Sequence, residues 1–241
     1  MDQQTRQKLK NDQFVTATKS GMEWASENRR SVIRTGSILL GVVVLLVGSG
    51  ALYSYRSEQA TTAFGEAMQV YQTPLAQPGE PAPAGVKTYG SAVERAKAAN
   101  DQFMGVASKY GSTKNGKVAL YFGGLTYLEE GNYGSAESTL KVVAGSWDHD
   151  LAGLAKLALA QMYRETGRNQ QAIDLYNELT AKPTTTVPAG LAQLQLAELY
   201  TSAGKQDEAK RVYAQLKDKD AKGPAGMLAA QKLEPAGPQQ Q

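Results

Sequence analysis

The spacing Tyr-x3-Gly-x4-Ala occurs three times in this 241-residue chain: Tyr127, Gly131 and Ala136; Tyr163, Gly167 and Ala172; Tyr200, Gly204 and Ala209. Beyond each alanine, larger residues recur on one helical face. They are Leu140 and Val143, then Leu175, Tyr176 and Leu179, then Val212, Tyr213 and Leu216. Steps of 3, 4 and 7 from each alanine mark an amphipathic helix. The pattern therefore predicts pairs of antiparallel helices. The tyrosine fills the space near the end of helix A, and the glycine ends that helix in a left-handed backbone conformation. The alanine marks the closest approach of helix B to helix A, where a larger side chain would overpack.

The glycines lie 36 and 37 residues apart, slightly more than the 34-residue tetratricopeptide period. The stretches "YLEEGNYGSAESTL", "YRETGRNQQAIDLY" and "YTSAGKQDEAKRVY" resemble tetratricopeptide repeats. A fainter copy precedes them, since "TYGSA" at 88–92 echoes "NYGSA" at 132–136. Its helix B is expected over 91–109, with Phe103, Val106 and Tyr110 turned toward the next repeat. Its helix A is expected over 58–72. The Pro/Gly-rich stretch 74–88 reads as a loop inserted between these two helices. Residues 223–233 read as a capping helix over the last repeat and 234–241 as a disordered tail. The expected fold is all-α: one N-terminal transmembrane helix, then an α-solenoid of helical hairpins spanning 56–233.

The apolar run "TGSILLGVVVLLVGSGALYSY", residues 35–55, is free of charge and flanked by Arg34 and Arg56. Twenty-one residues at about 1.5 Å each give about 31 Å of helix, close to the hydrocarbon thickness of a bilayer. Ser49-Gly50-Ala51 offers a cleavage site for a signal peptide, but the polar leader 1–34 and the full-span length favour an uncleaved anchor. The leader holds seven Lys/Arg against four Asp/Glu, whereas everything from Arg56 onward holds nineteen of each. Positive charge on the leader places the N-terminus in the cytoplasm and the repeats across the membrane. In a two-membrane bacterium that is the inner membrane, with the body in the periplasm. The balanced charge of the body offers no footprint for nucleic acid.

Candidate chemistry is sparse. No cysteine is present, and the one histidine, His149, lies in "SWDHD". A metal site needs side chains converging on one point, which three adjacent residues rarely achieve. An aspartate here is expected to cap the following helix, and Trp147 to plug the space between repeats. No phosphate-binding glycine loop occurs, and no serine has a histidine positioned to activate it. No enzyme, cofactor, metal or small-molecule substrate is expected. The surface left for binding is the inner face of the A helices: Tyr121, Leu125 and Leu128; Leu157, Gln161 and Arg164; Leu194, Glu198 and Thr201. Such a mixture suits polypeptide segments, through apolar anchors and a few polar contacts.

The order of parts, with "WASENRR" at 24–30, one apolar run and "YSYRSEQATTAFGEAM" leading into repeats, resembles the ancillary subunits of the bacterial Sec translocon. That resemblance implies a non-enzymatic scaffold that touches Sec channel components and passes exported chains to a periplasmic chaperone. A tethered scaffold for cell division, polysaccharide export or outer-membrane assembly is the alternative for the same fold.

Overall fold

Where the sequence expects helices A and B to alternate, the computed structural model shows that alternation, and it describes residues 24–76 and 87–234 together with Lys19, Gly21 and Met22. Nine α-helices occur among the described residues: α1 (Arg29–Tyr71), α2 (Ala92–Tyr110), α3 (Lys114–Glu129), α4 (Tyr133–Ala144), α5 (His149–Glu165), α6 (Asn169–Ala181), α7 (Ala189–Ser202), α8 (Gln206–Lys219) and α9 (Pro224–Leu233). The chain divides into two units, Met1–Tyr55 and Arg56–Gln241. In the first, every large apolar residue from Ile38 to Val47 is exposed, and the helix has an 18-residue window of mean hydropathy 2.1 with none of it buried. By length and composition it is a candidate membrane span.

In the second unit each helix from α2 to α9 packs on the next in sequence, and α3 also touches α5 as α7 touches α9. Polar caps start four of these helices. Ser91, Thr113, Asn132 and Asp148 each accept, through a side-chain oxygen, a backbone N–H three residues on. Proline at the first position starts α9, where a missing N–H costs nothing.

The A helices α3, α5 and α7 end in one repeated device. Gly131, Gly167 and Gly204 have φ of 73°, 73° and 74°. Each glycine N–H donates to the carbonyl three residues back, at Leu128, Arg164 and Thr201. The N–H of the following residue donates to the motif tyrosine: Asn132 to Tyr127, Arg168 to Tyr163 and Lys205 to Tyr200, at 2.7–2.9 Å. This is the Schellman arrangement, in which a left-handed residue lets the last carbonyls find partners. The tyrosine thus serves twice, by its ring in the core and by its carbonyl in the turn.

The alanines behave as their spacing requires. Ala136 and Ala172 are fully buried and Ala209 is 2% exposed, and each is followed by a buried residue at +4 and +7. The first repeat departs from the expected register. Its helix B starts where expected, capped by Ser91, but Ala92 is exposed, and Ala99 takes the buried position with Phe103 and Val106 behind it. Ala99 lies 37 residues before Ala136, so the core keeps its period. The "TYGSA" echo marks a helix start, and the helix runs seven residues, about two turns, further before meeting its partner.

The first helix A is the C-terminal part of α1. Ala60 and Ala67 are fully buried against Ala99, Phe103 and Ala119, and Phe64, Tyr71, Phe103 and Phe122 cluster with ring centroids 5.3–6.0 Å apart. Arg56 Nη2 donates to the Lys109 carbonyl at 2.6 Å and Asn115 Nδ2 to Thr61 Oγ1 at 2.7 Å. The expected insert 74–88 is closed at its base by a Leu75–Tyr89 bridge, with Ala76 N–H donating to the Tyr89 carbonyl at 2.8 Å. Residues 77–86, like the expected tail from 235 and most of the leader, lie outside the described residues.

Trp147 does not plug the space between repeats. It is 94% exposed in the turn before α5, because buried Val143 and Leu151 already fill that space.

The turn geometry sets a test. Gly131→Ala puts a Cβ on a left-handed backbone and is expected to cost about 1–2 kcal/mol. Gly105→Ala, at an exposed site inside α2 with open space around it, is expected to gain about 0.5–1 kcal/mol. Urea melts of the two variants should therefore shift in opposite directions.

Candidate functional site

The repeat grid places the nine expected inner-face residues on three equivalent helices, α3, α5 and α7. Tyr121, Leu157 and Leu194 form one row, 36 and 37 residues apart; Leu125, Gln161 and Glu198 form the next; Leu128, Arg164 and Thr201 the third. Tyr121, Leu125, Leu128 and Leu157 are half-buried against the central core, and Leu194 packs on the C-terminal one. Burial pushes the Tyr121 hydroxyl above its ordinary pKa. Each side chain thus has one flank in the core and one flank open.

Arg164 and Glu198 meet across α5 and α7, with Nη1 3.9 Å from Glu198 Oε2 and 3.4 Å from Gln195 Oε1. Both contacts are long, and the guanidinium keeps most of its hydrogen-bonding capacity for another partner. Thr201 is exposed, and its hydroxyl donates back to the Ala197 carbonyl at 2.9 Å. The nine residues share a face and a period, with an ion pair only between Arg164 and Glu198.

The grid also brings out a row that reasoning from sequence missed. Val118, Leu154, Leu191 and Leu228 recur at 36, 37 and 37 residues, one turn before the Tyr121 row. The first three are half-buried and Leu228 is 47% exposed. The period that revealed the tyrosines and glycines would have found this row had it been followed into α9. Two apolar rows thus run side by side, followed by two mixed rows, Leu125, Gln161 and Glu198, then Leu128, Arg164 and Thr201.

Both aspartates of "SWDHD" are committed to structure. Asp148 Oδ1 accepts the Leu151 N–H at 3.1 Å, the expected cap, and Asp150 Oδ1 accepts the N–H groups of Thr185 and Thr186 at 2.9 and 3.3 Å. Among the described residues no group of three His, Asp or Glu side chains is placed to share a metal.

The tetratricopeptide repeat-like domain matches residues 34–234. The chain belongs to that family. The match begins at Arg34, so it takes in the apolar run as well as every helix of the repeat unit. Searches of curated proteins and of solved structures find no match. As a tetratricopeptide repeat-like chain it carries a protein-interaction fold, of a kind that typically serves as a scaffold and not as an enzyme.

Carboxylates bridge neighbouring helices of the stack at two places. Glu137 on α4 accepts from Lys141 Nζ at 2.7 Å, from the Tyr163 hydroxyl at 2.9 Å and from Arg168 Nη1 at 2.6 Å. The Arg168 guanidinium also lies 4.4 Å from the Tyr163 ring centroid. At the other end Glu129 accepts from the Tyr71 hydroxyl, and burial with that bond pushes Tyr71 up to about 12. Lys141 and then Arg168 hold the Glu137 carboxyl down at about 2, below its ordinary 4.5. A carboxyl depressed on folding contributes stability above its unfolded value and loses it as pH falls through the folded one. The Glu137 network should thus weaken between pH 4.5 and about 2. Wild type is expected to be more stable than Glu137→Gln at pH 7, with the gap between their urea midpoints closing as the pH approaches 2.

Proposed function

We propose that this chain is a membrane-tethered scaffold that holds polypeptide segments along the inner face of its A helices. Its finer role is read as that of an ancillary subunit of the Sec translocon. The observation that carries the reading is the pair of apolar rows: Val118, Leu154, Leu191 and Leu228 keep the repeat period across four helices, and Tyr121, Leu157 and Leu194 keep it beside them across three. Periodic half-open aliphatic side chains next to a loosely held Arg164 offer anchors for a chain running across the repeats.

The tether is supported by the exposed apolar run within α1 and by the family match that includes it. The orientation rests on charge. The leader carries an excess of Lys/Arg and the body none, which favours a cytoplasmic N-terminus and a body in the periplasm. Sec channel components, a periplasmic chaperone and exported chains are the partners this layout implies. They follow from the resemblance in the order of parts.

The test is photocrosslinking in native membranes from Tyr121 and Leu157, two inner-face positions, with exposed Ser138 on α4 as the control. Recovery of Sec channel subunits, exported chains or a periplasmic chaperone from the first two positions and not from Ser138 is expected. Crosslinks to components of another envelope pathway would transfer the scaffold to that pathway. An equal yield from Ser138 would remove the inner face as the binding surface.

A further inference from the structure

The turns that join a helix B to the next helix A all lie on one edge of the repeat unit, because short turns make successive helices antiparallel. They are 111–113, 145–148, 182–188 and 220–223. The opposite edge holds the A-to-B turns, with Gly131, Gly167 and Gly204, and the longer connection from Tyr71 to Ala92. The two edges differ in charge. Taken with four residues on either side, the B-to-A turns hold eight lysines against five Asp/Glu, and the A-to-B connections hold five Lys/Arg against seven Asp/Glu.

The lysines of the first edge are exposed, and all but Lys141 make no ion pair among the described residues. Its carboxylates are mostly engaged. Asp148, Asp150 and Asp220 accept backbone N–H groups, and Glu178 pairs with Lys156 at 2.7 Å. The same edge carries the three most exposed large apolar side chains described in the repeat unit, Trp147, Val142 and Met227, at 60–94% exposure. It is also where the chain enters. The unit begins at Arg56, one residue after the apolar run ends, and Arg56 Nη2 donates to the Lys109 carbonyl beside the first B-to-A turn. An exposed indole among unpaired lysines suits the headgroup level of a bilayer, where the ring reaches the acyl boundary and the cations meet lipid phosphate.

We infer that the B-to-A edge rests on the anionic phospholipid surface of the bilayer that holds the apolar run, with Trp147 at the headgroup level and the lysines on lipid phosphates. This rests on the tether reading and adds which edge of the repeats the lipid covers. The tether keeps that surface at high effective concentration, so a contact too weak to recruit a free domain still forms. Only helix ends take part, and the lateral inner face of the A helices stays uncovered.

Tryptophan quenching tests it with the full chain in vesicles. Trp24→Phe leaves Trp147 as the sole tryptophan. The vesicles are phosphatidylcholine brominated on its acyl chains, alone or with about 30 mol% phosphatidylglycerol. Bromine is expected to quench Trp147 at least about threefold more strongly with phosphatidylglycerol than without, and high salt is expected to remove the difference. Lys109→Glu, Lys114→Glu and Lys222→Glu together are expected to abolish it, whereas Lys205→Glu on the opposite edge leaves it unchanged. Equal quenching in the two lipids, or quenching that survives the triple variant, overturns the contact. A blue-shifted emission without quenching also overturns it and assigns Trp147 to a protein surface. Flotation of the same vesicles separates the readings. If the chain floats while Trp147 stays in water, the edge contact alone fails. If the chain does not float, the tether and the contact fail together.

Discussion

The repeat stack depends on the contact between a small residue on each helix B and the helix A it crosses. Ala99, Ala136, Ala172 and Ala209 are buried to within 2% of completely, at intervals of 37, 36 and 37 residues. Close backbone approach there leaves room only for a methyl group, and the larger residues at +4 and +7 then fill the space on either side. On the facing helices Gly124, Ala160 and Ala197 occupy the matching positions. A Cβ on Gly124 would lie 2.6 Å from the Leu140 side chain. Left-handed glycines at the end of each intervening helix A return the chain at the angle this contact needs. Contact and turn repeat together, so the A helices come to lie with the same face in register.

Most of this was legible because it is periodic. Tyr163, Gly167 and Ala172 can be read from sequence as a hairpin, since each residue type answers a distinct physical demand. The demands are ring volume, positive φ and close approach. The first repeat was harder. Its Ala92 copies the local sequence around Ala136 but not its place in the stack, because local similarity specifies a helix start and tertiary contact chooses which turn is buried. Trp147 was misread for a related reason. Large aromatic residues are usually core, but the volume at that junction was already taken by Val143 and Leu151. Neither the Glu137 network nor the buried Asn100 has a sequence signature. Asn100 Nδ2 donates to the Gly123 carbonyl and to Thr126 Oγ1, both at 2.9 Å, and such partners become neighbours only after the helices pack.

The register of the A helices was legible. Tyr121, Leu157, Leu194 and their neighbours follow from register alone, and the structure leaves them half-open on equivalent helices. The Val118 to Leu228 row escaped notice because α9 lacks the tyrosine and glycine that flag a repeat. Close approaches at glycine escaped as well, because their partners come together only on packing. A Cβ on Gly116 or Gly226 would lie 2.0 Å from the Tyr110 or Asp220 carbonyl oxygen at the end of the preceding helix, and one on Gly153 or Gly190 would lie 2.8 Å from Thr184 or Ala225.

The proposed scaffold requires its repeats to lie across the membrane from its basic leader. Protease added to sealed inverted inner-membrane vesicles, whose cytosolic face points outward, measures this directly. With the chain tagged at its N-terminus, loss of the tag alongside an intact C-terminal fragment containing α2–α9 is expected. Digestion of that fragment while the vesicles remain sealed would contradict the topology, and with it the proposed role beside the translocon.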